Sequence, residues 1–461
     1  MRAIAVSAEG RVLASRAVPN ASGPDPAFPG GRIWDHERIW RDFSDCARGV
    51  VGEIGPGRIG AVTVTTFGVD GTLVDEAGAP LHPVISWQCE RTRAVMEEVH
   101  AALPGLYARC GLQPFHFNTA YKLAWLKRHR PELLDRARAW LFISDLFLHH
   151  MTGAFATDVT MAGTSMLTDL ETRDFAPETL RALGLAAELF PPLTEPGTAV
   201  GGLLPRAASD LGLPPGLPVV SAGHDTQFAL FGGGAAENEP VLSSGTWEIL
   251  MVRSRAIRAT EALRARGVTV ELDAEPGLLD PGAMWLASGL VERLKRLAFG
   301  ELDGDSAYEA MIAEGAGAGP GSGGLRFSED LLEDAGFRSG QEPGTSRGRV
   351  ARALFEHLAL KTREALTVLE RAGGFRAASL LCVGGGSKNR LWNQIRSDML
   401  GRPLRLVDRK ETTVLGAACF ALPATGAFRD AREARAAARI APLVLEPGSE
   451  SPFYADFTPA P

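Results

Sequence analysis

The 461-residue sequence is short of several things, and each shortage removes a class of function. Cysteine is scarce: Cys46, Cys89, Cys110, Cys382 and Cys419 are scattered, odd in number and without a Cys-x-x-Cys pair. Such a set supplies neither a disulfide framework nor a zinc site, and it suits a reducing cytoplasm. Positive charge is in deficit. Lys and Arg total 48 against 55 Asp and Glu, a net charge of −7, so no nucleic-acid partner is expected. No apolar run nears the length of a membrane span, and the opening Met1-Arg2-Ala3-Ile4-Ala5-Val6 meets Ser7 and Glu9 too soon for a secretory signal, so no membrane partner is expected either. Two nucleotide fingerprints are also missing. No Gly-Lys-Ser/Thr loop occurs, and Gly384-Gly385-Gly386-Ser387-Lys388-Asn389 holds Asn389 where a dinucleotide turn needs Gly or Ala.

What is present points to a large soluble α/β protein. Hydrophobic residues make up 45% and charged residues 22%, the balance of an ordinary globular chain. At 461 residues the chain exceeds the size one hydrophobic core fills, so two domains with a cleft between them are expected. Periodicity fades over residues 233–240, which divides the chain into residues 1–234 and 235–461.

Local pattern predicts the elements around that division. Residues 2–6 and 12–17 read as a hairpin, and residues 59–66 (IGAVTVTT) as a β-branched strand running into the glycines at 68 and 71. Helices are expected over residues 121–128, 131–139 and the stretch after Trp140, and a buried strand over 217–222. Past the division come a hairpin around Ser243-Ser244-Gly245-Thr246, a long helix over 349–372 stopped by Gly373-Gly374, a strand over 378–383 and a helix over 389–400. The run GAGAGPGSGG at 315–324 reads as a flexible surface loop.

Two signals carry chemistry. Gly223-His224-Asp225-Thr226-Gln227 follows a strand and places a carboxylate where open α/β sheets bind ligands. Asp225 suits either a helix N-cap or a general base for a substrate hydroxyl. Fewer than twenty residues on, Ser243-Ser244-Gly245-Thr246 offers backbone donors and hydroxyls to an anion, or simply a hairpin turn. The strand, triple glycine, Ser387 and helix that follow suit a nucleotide, or a tight turn capped by Ser387. Asp70 and Asp75 near Gly68 read as ligand or turn residues. Trp87, Glu90 and Arg91 mix an aromatic face with charge, as a sugar site or a surface loop does.

Taken together, TTFGVDG at 65–71, PVISWQCERT at 83–92, FNTAYKLAWL at 117–126, GHDTQFALFG at 223–232, SSGTWEILMVRS at 243–254, GGGSKNRLWNQI at 384–395 and ETTVLGAA at 411–418 resemble the FGGY carbohydrate kinases. The resemblance runs in order through nearly the whole chain. It implies an α/β protein of two actin-like ATPase domains, ribonuclease-H-like in their sheets, that close over a sugar and ATP with Mg2+ and phosphorylate O1 of a ketose. Carried over by motif, Asp225 resembles the catalytic base, and Gly68, His224 and Thr226 the sugar contacts. Gly245 and Thr246 resemble the second phosphate loop, and Gly385, Gly386 and Asn389 the adenosine turn. The match is nearest to members acting on L-fuculose, with L-rhamnulose and pentuloses as rival substrates and a catalytically inactive sugar- or nucleotide-binding regulator as the rival class.

One departure stands out. Family members open with a strand and an Asp-x-Gly phosphate turn ahead of the hairpin, and Met1 stands where that turn would have ended. Losing an interior strand leaves backbone groups unpaired. The expectation is therefore that residues 1–461 as written are poorly stable and weakly active, and that upstream residues restore activity.

Overall fold

The computed structural model describes residues 1–332, 346–407, 411–438 and 442–458. The chain opens as the expected hairpin, β1 (Arg2–Val6) with β2 (Val12–Ala17), turned by Gly10 at φ 73°. Helix α1 (His36–Ile54) begins where the Asp35 side chain accepts the Arg38 N–H. Strand β3 (Val62–Thr66) starts later than its apolar pattern because Pro56–Arg58 coils into a 3-10 turn just before it. After β4 (Gly71–Val74) comes helix α2 (Thr119–His129).

The next helix corrects the sequence reading, since it spans only Pro131–Arg136 and the residues around Trp140 form a strand, β5 (Ala139–Phe142). All four side chains of β5 are buried and its backbone pairs with β4, so a strand enclosed on both faces wins over continued helix. Helix α3 (Ile143–Thr152) begins only after it. Strands β6 (Ala199–Gly202) and β7 (Pro218–His224) complete a three-stranded sheet in the order β6-β7-β3, with β7 and β3 parallel. Helix α4 (Asp225–Gly232) leaves the end of β7.

A seven-stranded sheet dominates the second half. Its strands are β8 (Pro240–Ser244), β9 (Trp247–Val252), β10 (Thr269–Leu272), β11 (Leu279–Leu286) and, beyond the helices α5 (Gly304–Gly317) and α6 (Arg347–Gly373), β12 (Leu380–Val383). Helix α7 (Arg390–Leu400), β13 (Leu404–Leu406), helix α8 (Thr412–Ala421) and β14 (Leu443–Leu445) follow. The strand order is β10-β11-β9-β8-β12-β13-β14. Helix α6 buries Leu354, Leu358, Leu366 and Leu369, and it ends where Gly374, at φ 64°, returns its N–H to Glu370, a left-handed cap that glycine makes at little cost.

The glycine-rich run at 315–324 is not the flexible surface loop its composition suggested. Helix α5 continues into it through Gly317, Gly321 and Ser322 are buried, and the Ser322 hydroxyl donates to Glu356 at 3.0 Å. Where α5 meets α6 a small residue is required on the other side, since a Cβ on Gly348 would lie 2.6 Å from the Glu314 carbonyl oxygen. The same device joins the two halves. Helices α4 and α8 cross with Gly416 against the Phe228 backbone and Gly232 against the Thr412 carbonyl, contacts that leave no room for any Cβ.

Candidate active site

Parallel pairing of β3 and β7 brings His224 opposite Thr66, so the loops that follow the two strands emerge side by side at one carboxyl edge. Asp225 is the first residue of α4, and His224 is the cap residue; Asp225 is therefore not the N-cap that its position allowed. Its side chain keeps 44% of its exposure. Lost hydration nevertheless pushes its carboxyl above the ordinary range, against the opposing pull of His224.

His224 sits between two carboxylates. Its Nε2 lies 3.5 Å from Asp225 Oδ1 and its Nδ1 lies 3.3 Å from Glu271 Oε2 on β10, both within ion-pair reach. Burial depresses the imidazole, but Glu271 and then Asp225 outweigh it, and the net shift is upward. The Thr226 hydroxyl lies 3.5 Å from both His224 Nε2 and Asp225 Oδ1. Beneath them the His224 N–H donates to Thr160 Oγ1 at 3.0 Å, and that hydroxyl donates to Asp158 at 2.5 Å. A Cβ on Gly223 would collide with this pair.

Gly68 lies buried in the neighbouring loop, where a Cβ would stand 2.7 Å from Thr164 Cγ2. Packing alone thus demands glycine at this position. Val69, next in line, holds φ 64°, an outlier for a β-branched residue and a sign of stored strain. Three contacts hold it there: its N–H donates to Thr164 Oγ1 at 2.9 Å, and its carbonyl accepts from Thr119 Oγ1 at 2.8 Å and Lys122 Nζ at 3.0 Å, while Lys122 also pairs with buried Asp70. Asp70 accepts the Trp34 Nε1–H at 2.6 Å and the Trp87 N–H at 3.0 Å, so it anchors the loop rather than facing a ligand. Asp75 makes a turn by accepting the Ala77 and Ala79 N–H groups. Of the mixed motif at 83–92, Trp87 stays 41% exposed, whereas Arg91 is turned inward to a buried ion pair with Asp25.

The second group of turns assembles on the larger sheet. Parallel pairing of β8 with β12 sets Ser243 opposite Val383, so the turn at Ser244-Gly245-Thr246 meets the triple glycine. Thr246, Gly384 and Gly385 are exposed, and Gly386 is buried against Ser244. Asn389, not Ser387, caps α7, its Oδ1 accepting the Trp392 N–H at 3.0 Å. Under the turns lies a network that motif reading missed. Glu248 accepts the Ser244 hydroxyl at 2.7 Å and Trp285 Nε1–H at 3.0 Å and pairs with Arg396; Arg396 donates to Asn393 at 2.6 Å, and Asn393 donates to the Gly386 and Ser387 carbonyls. Ser244, Glu248, Asn393 and Arg396 are all buried.

Comparison with known proteins settles the lineage. Residues 1–232 match the N-terminal domain of the FGGY family of carbohydrate kinases and residues 241–425 its C-terminal domain. The chain belongs to the FGGY family of carbohydrate kinases. It is 47% identical over 440 residues to a protein named L-fuculokinase from Escherichia coli, covering 95% of this chain and 92% of that one, and 41% identical over 448 residues to an L-fuculokinase from Haemophilus influenzae, covering 95% of each. Among solved structures, xylulose kinase from Rhodospirillum rubrum superposes with a TM-score of 0.86 at 23% identity, over 98% of this chain and 93% of that one. The fold is the two-domain actin-like ATPase fold, and the FGGY chain is a phosphotransferase that uses ATP and a sugar alcohol group.

The residues missed by motif left partial signals. Lys122 is a charge inside the apolar helix of TAYKLAWL, which calls for a buried counterion. Glu271 alternates with buried Val270 and Leu272 on β10, which fixes its face but not its partner. Among the described residues no helix is long and apolar enough to cross a membrane, and all five cysteines are free and buried.

Proposed function

We propose that this FGGY kinase transfers the γ-phosphoryl group of ATP to O1 of a 6-deoxy-ketohexose, converting L-fuculose to L-fuculose 1-phosphate in the cytoplasm. The observation that carries the chemistry is Asp225: a half-exposed carboxylate with a raised pKa at the carboxyl edge of β7, beside an imidazole held between two acids. The substrate identity draws on the 47% identity to the Escherichia coli relative. Residues 1–234 form the sugar-binding domain in this reading and residues 235–461 the nucleotide-binding one.

Asp225 accepts the proton of the O1 hydroxyl as that oxygen attacks the γ-phosphorus. The O1–P bond forms, the bridging P–O bond to the β-phosphate breaks, and ADP leaves with the electron pair. Gly68, His224 and Thr226 contact the sugar, and Trp87 lends it an apolar face. The backbone N–H and hydroxyl of Thr246 meet the phosphates beside Gly245, whose own N–H is taken by the Trp247 carbonyl, while Gly385, Gly386 and Asn389 border the adenosine, with no side chain on the glycines to obstruct it. Among the described residues no group of three or more His, Cys, Asp or Glu forms a ready cage. That fits Mg2+ held mainly by phosphate oxygens and water, where it would neutralise the charge of the nucleotide. The Thr246 hydroxyl, exposed on the phosphate turn, would add a protein oxygen to such a shell.

Steady-state rates with L-fuculose, L-rhamnulose, L-xylulose and D-ribulose test the proposal. L-fuculose should give the highest kcat/KM. Preference for another ketose overturns the substrate, and sugar binding with no ADP release for any of the four overturns the kinase in favour of a binding regulator.

A further inference from the structure

Three acids line the short hairpin of β10 and β11 where it backs onto His224. Glu271 stands opposite Asp280 in the pairing of the two strands, and Asp273 lies two residues further along β10's exit. Asp273 is paired with Arg253 and held below the ordinary carboxylate range. Asp280 is fully buried and raised well above that range by lost hydration and then by Asp273. Of the three, Glu271 is the one that faces His224. Among the described residues no Lys or Arg lies within ion-pair distance of it, and His224 is the one cationic group that does. Its carboxylate is also fixed in direction, because Gln227 Nε2 donates to the same Oε2 at 2.7 Å.

We propose that Glu271, a residue of the C-terminal half, is a positioning residue for the base of the N-terminal half: it fixes the His224 ring at Nδ1 so that Nε2 faces Asp225. The inference rests on the reading of Asp225 as base. Its consequence is that alignment of the base depends on how the two halves sit against each other, since His224 and Asp225 fall within the N-terminal family match and Glu271 within the C-terminal one. A merely structural carboxylate would gain nothing from this place, as buried ion pairs are usually replaceable by apolar packing without loss. The other charged group near His224 is Asp158, which reaches it only through Thr160 and is itself raised by burial.

The sign of the effect follows from the charges. Removing the Glu271 charge takes away its own upward push on Asp225, the smallest of the causes there, but it also lowers the imidazole pKa; the loss of cationic His224, the larger influence, then lets the Asp225 carboxyl rise further. The acid limb of the kcat profile should therefore move to higher pH.

The test is Glu271→Gln in the full chain, which keeps the size of the side chain. Expected are a fall in kcat of roughly 10–100-fold, a sugar KM little changed, and an acid limb displaced upward. Glu271→Asp, which restores the charge, should return the limb toward its wild-type position and also serves if the amide variant folds poorly. Adding Glu271→Gln to His224→Asn should lower kcat no further than His224→Asn alone. An unmoved acid limb overturns the inference, whether kcat is normal or reduced, and so does full additivity of the two changes. Asp225→Asn separates the layers: if it turns over normally the base assignment itself has failed, and if it is inactive while Glu271→Gln behaves as wild type, only the role of Glu271 falls.

Discussion

The Ser244 hydroxyl fills the space that a Cβ on Gly386 would need. Ser244 cannot simply step aside, because its Oγ donates to Glu248, which is buried and paired with Arg396. The triple-glycine turn and the Ser-Gly-Thr turn are thus one rigid piece. Gly386→Ala should break it apart by pushing Ser244 off Glu248. We expect the KM for ATP to rise by about tenfold or more, equivalent to roughly 1.4 kcal/mol of lost binding, with sugar affinity measured by calorimetry without nucleotide unchanged. An unaltered KM for ATP would separate these turns from the nucleotide.

Asp225 gives the most direct test of chemistry. General-base assistance is worth about 10²–10⁴-fold, and Asn keeps the shape while removing the proton acceptor. Asp225→Asn should lower kcat within that range while the dissociation constant of the sugar stays near wild type. A coupled ADP-release assay and calorimetry read the two quantities separately, and near-normal turnover would remove Asp225 from the mechanism.

Much of this arrangement is legible in the chain before any coordinates, and the reason is local. The hairpin at residues 2–17, the long helix and the strands before Asp225 and Gly384 follow from periodicity and glycine stops, which act over a few residues. Where local signals mislead, tertiary packing decides. The AWLF of β5 could extend a helix, but sheet pairing encloses it on both faces; the glycines at 315–324 suggest a loose loop, but Gly315 packs against Arg352 and Leu391, and Gly321 is buried against Phe453. The site divides the same way. Asp225 and the glycine turns stand at strand ends that any α/β reading singles out, whereas Glu271 comes from 46 residues beyond and meets His224 only through the fold. Asn389 illustrates a residue with two claims, since its side-chain oxygen already caps α7.

The buried pair beneath the strained loop predicts a stability effect. Lys122 and Asp70 are shielded from solvent, and burial pushes the amine down and the carboxyl up while their pairing opposes both shifts. Lys122→Met leaves Asp70 without its cation and Val69 without one of its two carbonyl donors. Loss of one member of a buried pair typically costs about 3–5 kcal/mol. Denaturant unfolding should show a loss of that order, and the Asp70→Asn/Lys122→Met double variant should recover part of it. A loss below about 1 kcal/mol would mean the pair is solvated in the native state.

A second buried acid makes stability depend on pH in a definite direction. Burial, reinforced by the neighbouring Asp158, pushes the Asp145 carboxyl up to about 8. In the unfolded chain the same group titrates near 3.9. Between those values the folded protein holds a proton that the unfolded chain has lost, so the Asp145 contribution falls as pH rises from about 4 to about 8 and is constant above that. Asn mimics the neutral acid: its Oδ1 can accept the Phe142 N–H that contacts Asp145 Oδ2 at 3.3 Å, and its Nδ2 can donate to the Ser144 hydroxyl, which lies 3.2 Å from Asp145 Oδ1 and can turn to accept. Asp145→Asn should therefore unfold at nearly the wild-type temperature near pH 4 and at a higher temperature than wild type near pH 8, with the gap widening steadily between them. Calorimetric melts across that range decide it, and parallel Tm curves for the two proteins would show that Asp145 is ionised in the native fold at neutral pH.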